Sequence, residues 1–228
     1  MKRNIVVAIT GASGATYAVR LLEVLSASGC NVYLAISAAA QLVLKQELDL
    51  SVDLDHFDPA MLMLDGGANP KDGKLQGIRA LAGISSDSSN VLAVGSGEPG
   101  KLHYCHYRDQ MAPISSGSFL TDGMVVCPCS GATLSSIVHG TSANVIHRAA
   151  DVHLKERRKL VLVCRETPLS LVQLDNMKRA AEAGAIILPA SPAFYHGVES
   201  IRDLVDYVVG RICDQLDIEN SLIERWGK

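Results

Sequence analysis

The sequence predicts a single α/β domain built on a doubly wound, mainly parallel sheet. Short apolar runs alternate with helix-like runs along most of the 228 residues, the rhythm of repeated βαβ units. The apolar runs are nearly continuous rather than alternating, as in strands covered on both faces. Serines stand at helix starts and glycines just past helix ends, which sharpens the boundaries.

The first strand is read at residues 4–10, Asn4-Ile5-Val6-Val7-Ala8-Ile9-Thr10. A turn, Gly11-Ala12-Ser13-Gly14, leads into a helix over 15–28, and a second strand at 31–37 leads into a helix over 39–47. Further strands are predicted at 124–127, 159–164 and 185–189, with helices at 130–139, 143–157, 170–183 and 200–216. Ser130, Ser170 and Ser200 are N-cap candidates, and Gly29, Gly140 and Gly184 occupy C′ positions. This pattern fits a Rossmann-like or flavodoxin-like domain. Residues 50–117 break the rhythm with Gly, Ser, Asp and Pro, as in Asp65-Gly66-Gly67-Ala68-Asn69-Pro70. They read as an insertion or long loop, a lid or a contact arm, with a short helix at 75–82 and a short strand at 91–94. No repeat and no second domain is visible, and residues 220–228 read as a tail or arm.

Composition narrows the function classes. The chain is 48% hydrophobic and 20% charged, a globular rather than a disordered balance. A net charge of -3 gives no electrostatic reason for nucleic acid as a partner. No signal peptide or membrane-spanning run is apparent, so a cytoplasmic location is expected. Cys30, Cys105, Cys127, Cys129, Cys164 and Cys213 are expected to be reduced thiols, several of them buried. Cys127-Pro128-Cys129 lacks zinc spacing, and His103, Cys105 and His106 read as a polar loop before a metal set; no metal is expected.

In an open α/β sheet, ligands bind beyond the carboxyl ends of the strands. Five strand ends place polar residues there: Ser13, Ser37, Ser130, Arg165-Glu166 and Tyr195-His196. The helix starts behind Ser13 and Ser130 offer two anion sites on one rim. A phosphate-bearing ligand with a flat polar ring, a flavin or another nucleotide, would fit. Each serine can also be a simple helix cap. Arg165-Glu166 can be an exposed pair, or a carboxyl partly desolvated after the apolar strand and so suited to acid–base work. Lys155 lies in a charge run that reads mostly as a solvated helix end. Arg211 either snorkels or points an anion-binding fork. Gly11-Ala12-Ser13-Gly14 is not a nucleophile elbow, a P-loop or a G-x-G-x-x-G turn.

These residues resemble the flavin prenyltransferases of the UbiX/Pad type. The motifs that carry the resemblance are Thr10-Gly11-Ala12-Ser13-Gly14-Ala15, Ile36-Ser37, Met124-Val125-Val126-Cys127-Pro128-Cys129-Ser130, Arg148-Ala149-Ala150-Asp151-Val152, Leu154-Lys155-Glu156-Arg157-Arg158, Leu162-Val163-Cys164-Arg165-Glu166-Thr167-Pro168-Leu169 and Pro192-Ala193-Phe194-Tyr195-His196. The match runs nearly end to end, covers residues 50–101 less well, and is most specific over 148–169.

The resemblance implies transfer of a dimethylallyl group from dimethylallyl monophosphate to reduced FMN. Bonds form at flavin N5 and then C6, without a metal. The product, prenylated FMN, serves decarboxylases of the UbiD type. Carried over by position, Gly11, Ala12 and Ser13 would hold the flavin, with Ser13 near N5. Ser37 and the turn Ser130-Gly131-Ala132-Thr133 would bind FMN, and Arg165 would touch both flavin and substrate phosphate. Lys155, Tyr195 and Arg211 would clamp the donor, with Glu47 reaching in from a neighbouring subunit. Glu166 would move protons, with Ser13 and Glu47 as further catalytic candidates, and Arg148 would pair within the polar network of the cofactor site. The resemblance also implies a homododecamer with the site at subunit boundaries. Gly131-Ala132 and Cys164 depart from the residues common in the family, a bulkier pair and a Pro. Two other readings compete: a flavin-dependent cysteine decarboxylase and a non-catalytic flavin-binding subunit. The first relies on a His after the second strand, where this chain has Ala38-Ala39-Ala40-Gln41.

Overall fold

The computed structural model describes residues 2–62, 98–195, 197–225 and 227. The helix and strand expected at 75–82 and 91–94, and His196, lie outside the described residues. Among the described residues the strands are β1 Asn4–Ile9, β2 Asn31–Ile36, β3 Leu102–Tyr104, β4 Gly123–Cys129, β5 Leu160–Cys164 and β6 Ile186–Ile187. The helices are α1 Ala15–Ala27, α2 Ala38–Leu48, α3 Gly131–Val138, α4 Val145–Lys155, α5 Leu171–Glu182 and α6 Ile201–Gln215. The sheet order is β3-β2-β1-β4-β5-β6, with every neighbouring pair parallel. This is the doubly wound arrangement, and its winding reverses between β1 and β4.

Strand alternation builds two cores from one sheet. Ile5, Val7 and Ile9 of β1 face one core, and Val6 and Ala8 face the other. α1, α2 and α6 cover the first, and α3, α4 and α5 the second. Each large apolar side chain so buried contributes roughly 1.5–3 kcal/mol. β4 departs from strict alternation. Val125 and Cys127 face the first core, but Cys129 faces the second. The ladder to β5 slips between Val126 and Cys129, and a bulge of this kind inverts side-chain parity.

The helix boundaries follow the caps. Ser37, Ser130, Ser170 and Ser200 each accept a backbone N–H from the residue three positions on. Gly29, Gly140 and Gly184 take positive φ just after their helices. Two sequence expectations are corrected. The stretch read as an insertion contains β3, an edge strand of three incompletely buried residues whose His103 and Tyr104 interrupt any apolar run. The last strand narrows to Ile186–Ile187, although Leu188 and Ala190 still donate to the carbonyls of Leu162 and Cys164. Among the described residues, no helix is long and apolar enough to cross a membrane.

Candidate functional site

The strand ends on either side of the β1/β4 reversal converge. The Thr10 hydroxyl donates to the Pro128 carbonyl at 2.7 Å and accepts from the Ser130 N–H at 2.9 Å. One buried side chain therefore joins the ends of β1 and β4. Arg165, just past β5, donates its Nε to the Ser13 carbonyl at 3.3 Å and brings a third strand end to the same rim. Gly11 lets α2 start directly over this turn, because a Cβ there would stand 2.4 Å from the Ala39 Cβ. Ala12 is buried, while Gly11 and Ser13 are exposed.

The two helix N-termini on this rim have different occupants. At α1 the cap is Gly14, which has no side chain to offer. The Glu47 carboxylate takes that place, accepting from the Gly14 N–H at 3.0 and 3.2 Å and from the Ala15 N–H at 2.8 Å. Negative charge here is favoured by the helix dipole. The cap of α1 is therefore Gly14 and not Ser13, and Glu47 is engaged with the opening turn of its own chain. The cause is the path of α2, which starts over Gly11 and carries Glu47 back to Gly14 on its last turn.

At α3, Ser130 is the cap. Its hydroxyl accepts from the Thr133 N–H at 3.3 Å and donates to the Thr133 hydroxyl at 3.0 Å. Gly131 and Ala132 present the first backbone N–H groups of the helix, the donor set that suits a phosphate. The residues at this end fit the phosphate of FMN. Ser37 caps α2, accepting from Ala40 at 3.1 Å, while its own N–H donates to the Ile9 carbonyl.

The polar groups assigned to the donor separate into two sets. Tyr195, in the loop after β6, meets Tyr207 of α6 edge-on at 6.1 Å between ring centroids. A hydrogen bond to Tyr195, then burial, pushes the Tyr207 phenol up. Arg211 lies one helical turn beyond Tyr207 and pairs with Asp214 at 2.6 Å. Tyr195 and Arg211 thus join one cluster through Tyr207, which the sequence reading missed. Its signal was the four-residue spacing to Arg211.

Lys155 belongs to the other set. It ends α4, pairs with Glu156 and lies near Gly117. Arg158 donates to the carbonyls of Gly117 and Phe119, on the segment that enters β4 at its amino end. Lys155 therefore sits at the opposite edge of the sheet from Ser13, and the five residues of β5 span at least about 13 Å between the edges. Arg148, on α4, turns to the Ser115 carbonyl at 3.2 Å and to Asp151 at 2.9 Å. The structure does not bring Lys155 to the rim of its own chain. Glu166 follows Arg165 onto the rim and is exposed.

The thiols are structural in placement. All six cysteines are buried and free. Burial pushes Cys127 well up, Cys105 up to about 11 and Cys213 up to about 12. Cys129 pairs in register with Cys164, whose hydrogen bond together with burial keeps Cys129 protonated. His103 stacks on Tyr33 while His106 faces Asp55, so these two rings serve different neighbours. Among the described residues, no group of three or more His, Cys, Asp or Glu side chains is placed to hold a metal ion.

Comparison with known proteins agrees with this geometry. The protein-family model described as Flavoprotein matches residues 1–213. The flavin prenyltransferase UbiX of Pseudomonas aeruginosa (strain PAO1) is 41% identical over 225 residues, 99% of this chain and 94% of that protein. The crystal structure of AnUbiX (PadA1) in complex with FMN and dimethylallyl pyrophosphate superposes with a TM-score of 0.76 at 38% identity, covering 100% of this chain and 99% of that one. A dodecameric FMN-dependent UbiX-like decarboxylase from Escherichia coli O157:H7 gives 0.70 at 35% identity, covering 99% of each chain.

Proposed function

The chain belongs to the UbiX flavin prenyltransferase family, and from that premise we propose that it joins a dimethylallyl group to reduced FMN. One observation carries the reading beyond likeness. Of two helix N-termini on one rim, the first is filled by Glu47 and the second, at Ser130, is left to a phosphate. A flavin whose phosphate is held at α3 would have Ser13 and Arg165 within the same rim.

Reduced FMN supplies the nucleophilic N5 and the C6 position at which the new ring closes. The protein's part is binding, charge and proton handling. Gly131 and Ala132 would hold the flavin phosphate with backbone N–H groups, beside the hydroxyls of Ser130 and Thr133, and Gly11, Ala12 and Ser13 would form the wall facing the ring. Arg165, locked to the Ser13 carbonyl, keeps a cation where the leaving phosphate gathers charge. Tyr195 and Arg211 add a second anchor for that phosphate. Glu166, exposed on the rim, gives up a proton to the departing phosphate and recovers one on ring closure. Ser13 and Glu47 orient the turn beside N5. The donor is dimethylallyl monophosphate, and the product serves decarboxylases of the UbiD type.

The full site needs more than one copy of the chain. Lys155 lies on the edge away from Ser13, so a second copy must present it. Met111, Leu120, Leu171 and Val172 are 90%, 74%, 82% and 71% exposed, apolar surface suited to assembly. A homo-oligomer follows, a dodecamer if it assembles as the E. coli relative does.

The deciding experiment is anaerobic incubation with reduced FMN and dimethylallyl monophosphate, in parallel with the pyrophosphate. Mass analysis of the extracted flavin should show the gain of one C5 unit with the monophosphate. Unchanged FMN with both donors overturns the reading.

A further inference from the structure

The C-terminal arm folds back onto α6 and ends on a single carboxylate. Arg225 donates to Asp214 through both ends of its fork, Nη1 to Oδ2 at 2.7 Å and Nη2 to Oδ1 at 2.7 Å. The Asn220 amide adds a bond to Oδ1 at 3.2 Å. Arg211 donates Nη1 to Oδ2 at 2.6 Å from three residues earlier on α6. Burial alone would raise the Asp214 carboxyl, but the hydrogen bonds and charge of Arg225, with Asn220 and Arg211, hold it below its ordinary value. Its side chain is 18% exposed, against 44% for Arg211.

We propose that Asp214, fixed by Arg225 of the C-terminal arm, is a positioning residue that aims the Arg211 guanidinium at the donor phosphate. This rests on the reading of Arg211 as a phosphate ligand. The physical argument has two parts. A long exposed side chain loses rotamer entropy when a ligand immobilises it. A carboxylate that is itself clamped by a two-bond fork removes much of that loss beforehand. The bond to Asp214 uses one nitrogen of a group with five N–H donors, so it orients the fork without exhausting it. The second part is charge. Arg211 with Asp214 alone would be neutral, whereas Arg225 restores a net positive cluster toward which a phosphate is drawn.

Positioning and simple charge predict opposite results for one substitution. Asp214→Asn removes a negative charge, so charge alone would tighten donor binding. Positioning requires the KM for dimethylallyl monophosphate to rise about 5- to 10-fold, with FMN affinity unchanged. Arg225→Lys keeps the charge and loses the fork. Charge alone predicts wild-type behaviour, and positioning predicts a rise of similar size with kcat little changed. Both variants preserve side-chain bulk, and melting curves establish that they are folded. Arg211→Met is run alongside. If Arg211→Met leaves the KM unchanged, the phosphate role of Arg211 fails and this inference falls with it. If Arg211→Met raises the KM while Asp214→Asn lowers it or Arg225→Lys matches wild type, the positioning role alone is overturned.

Discussion

Glu47 and Gly14 stand 33 residues apart, and both oxygens of the Glu47 carboxylate lie within hydrogen-bonding distance of the Gly14 N–H, at 3.0 and 3.2 Å. The opening turn therefore carries its own anion. The N-terminus of α1 is thus occupied by a carboxylate, whereas that of α3 is capped by the Ser130 hydroxyl.

Removing that anion should loosen the turn. Glu47→Ala leaves the Gly14 and Ala15 donors without their partner and is expected to cost about 1–2 kcal/mol of folding stability. Urea unfolding at neutral pH measures it. Glu47→Gln, which keeps an acceptor oxygen but no charge, should fall between the two. Equal stability for all three proteins would mean that water replaces the carboxylate without loss.

The separation of Lys155 from Ser13 makes a prediction about mixtures. Lys155→Ala and Glu166→Gln should each lose most activity as pure assemblies. Chains of the two kinds, co-expressed and assembled together, should regain part of it, because a mixed boundary can hold an intact Lys155 opposite an intact Glu166. Prenylated flavin formed per milligram is the readout. No recovery in verified mixed oligomers would place both residues in one chain's site.

His153 should give stability a dependence on pH. Its Nδ1 donates to the Ala149 carbonyl at 2.7 Å and its Nε2 accepts from the Thr121 hydroxyl at 2.8 Å. Burial, reinforced by the charge of Arg158, lowers its pKa from 6.5 to about 4. The unfolded chain takes up a proton near pH 6.5 and the folded chain does not until about pH 4. The stability linked to this residue is thus complete above pH 6.5 and is lost as pH falls toward 4, by about 2–3 kcal/mol. Denaturant titrations at pH 7 and pH 4.5 should show a smaller drop for His153→Ala than for the wild type.

Arg20 and Asp206 join α1 to α6 with bonds of 2.6 and 3.1 Å, and their residues are only 3% and 7% exposed. Asp206→Asn takes the buried carboxylate from Arg20 and leaves it the half-exposed Glu23, and should cost about 3 kcal/mol. Thermal and urea unfolding check this, and a variant as stable as the wild type would show that Glu23 compensates.

Much of this architecture could be read from residues that act locally. Ser130, Ser170 and Ser200 announce their helices because a cap bonds only three positions ahead, and β1 and β5 are unbroken apolar runs. β3 could not be read that way, since three residues on an edge leave no periodicity. The site divides along the same line. Ser130 and the Arg165-Glu166 pair were found from their place after strands. The bond from Glu47 to Gly14, the contact of Tyr195 with Tyr207 and the clamp of Arg225 on Asp214 come from chain returns that no short window contains. The position of Lys155 away from this rim is hidden for the opposite reason. Its neighbours in sequence resemble a site, but its helix runs toward the far edge.

The Thr10 hydroxyl donates a hydrogen bond to the Pro128 carbonyl and accepts one from the Ser130 N–H. The mouth between the two halves of the sheet is thus gauged by a single oxygen atom. Valine there would fill nearly the same volume and erase the gauge. The ends of β1 and β4 would then be held by the ladder that runs from Ile5–Gly123 to Ala8–Val126, which stops short of Pro128 and Ser130.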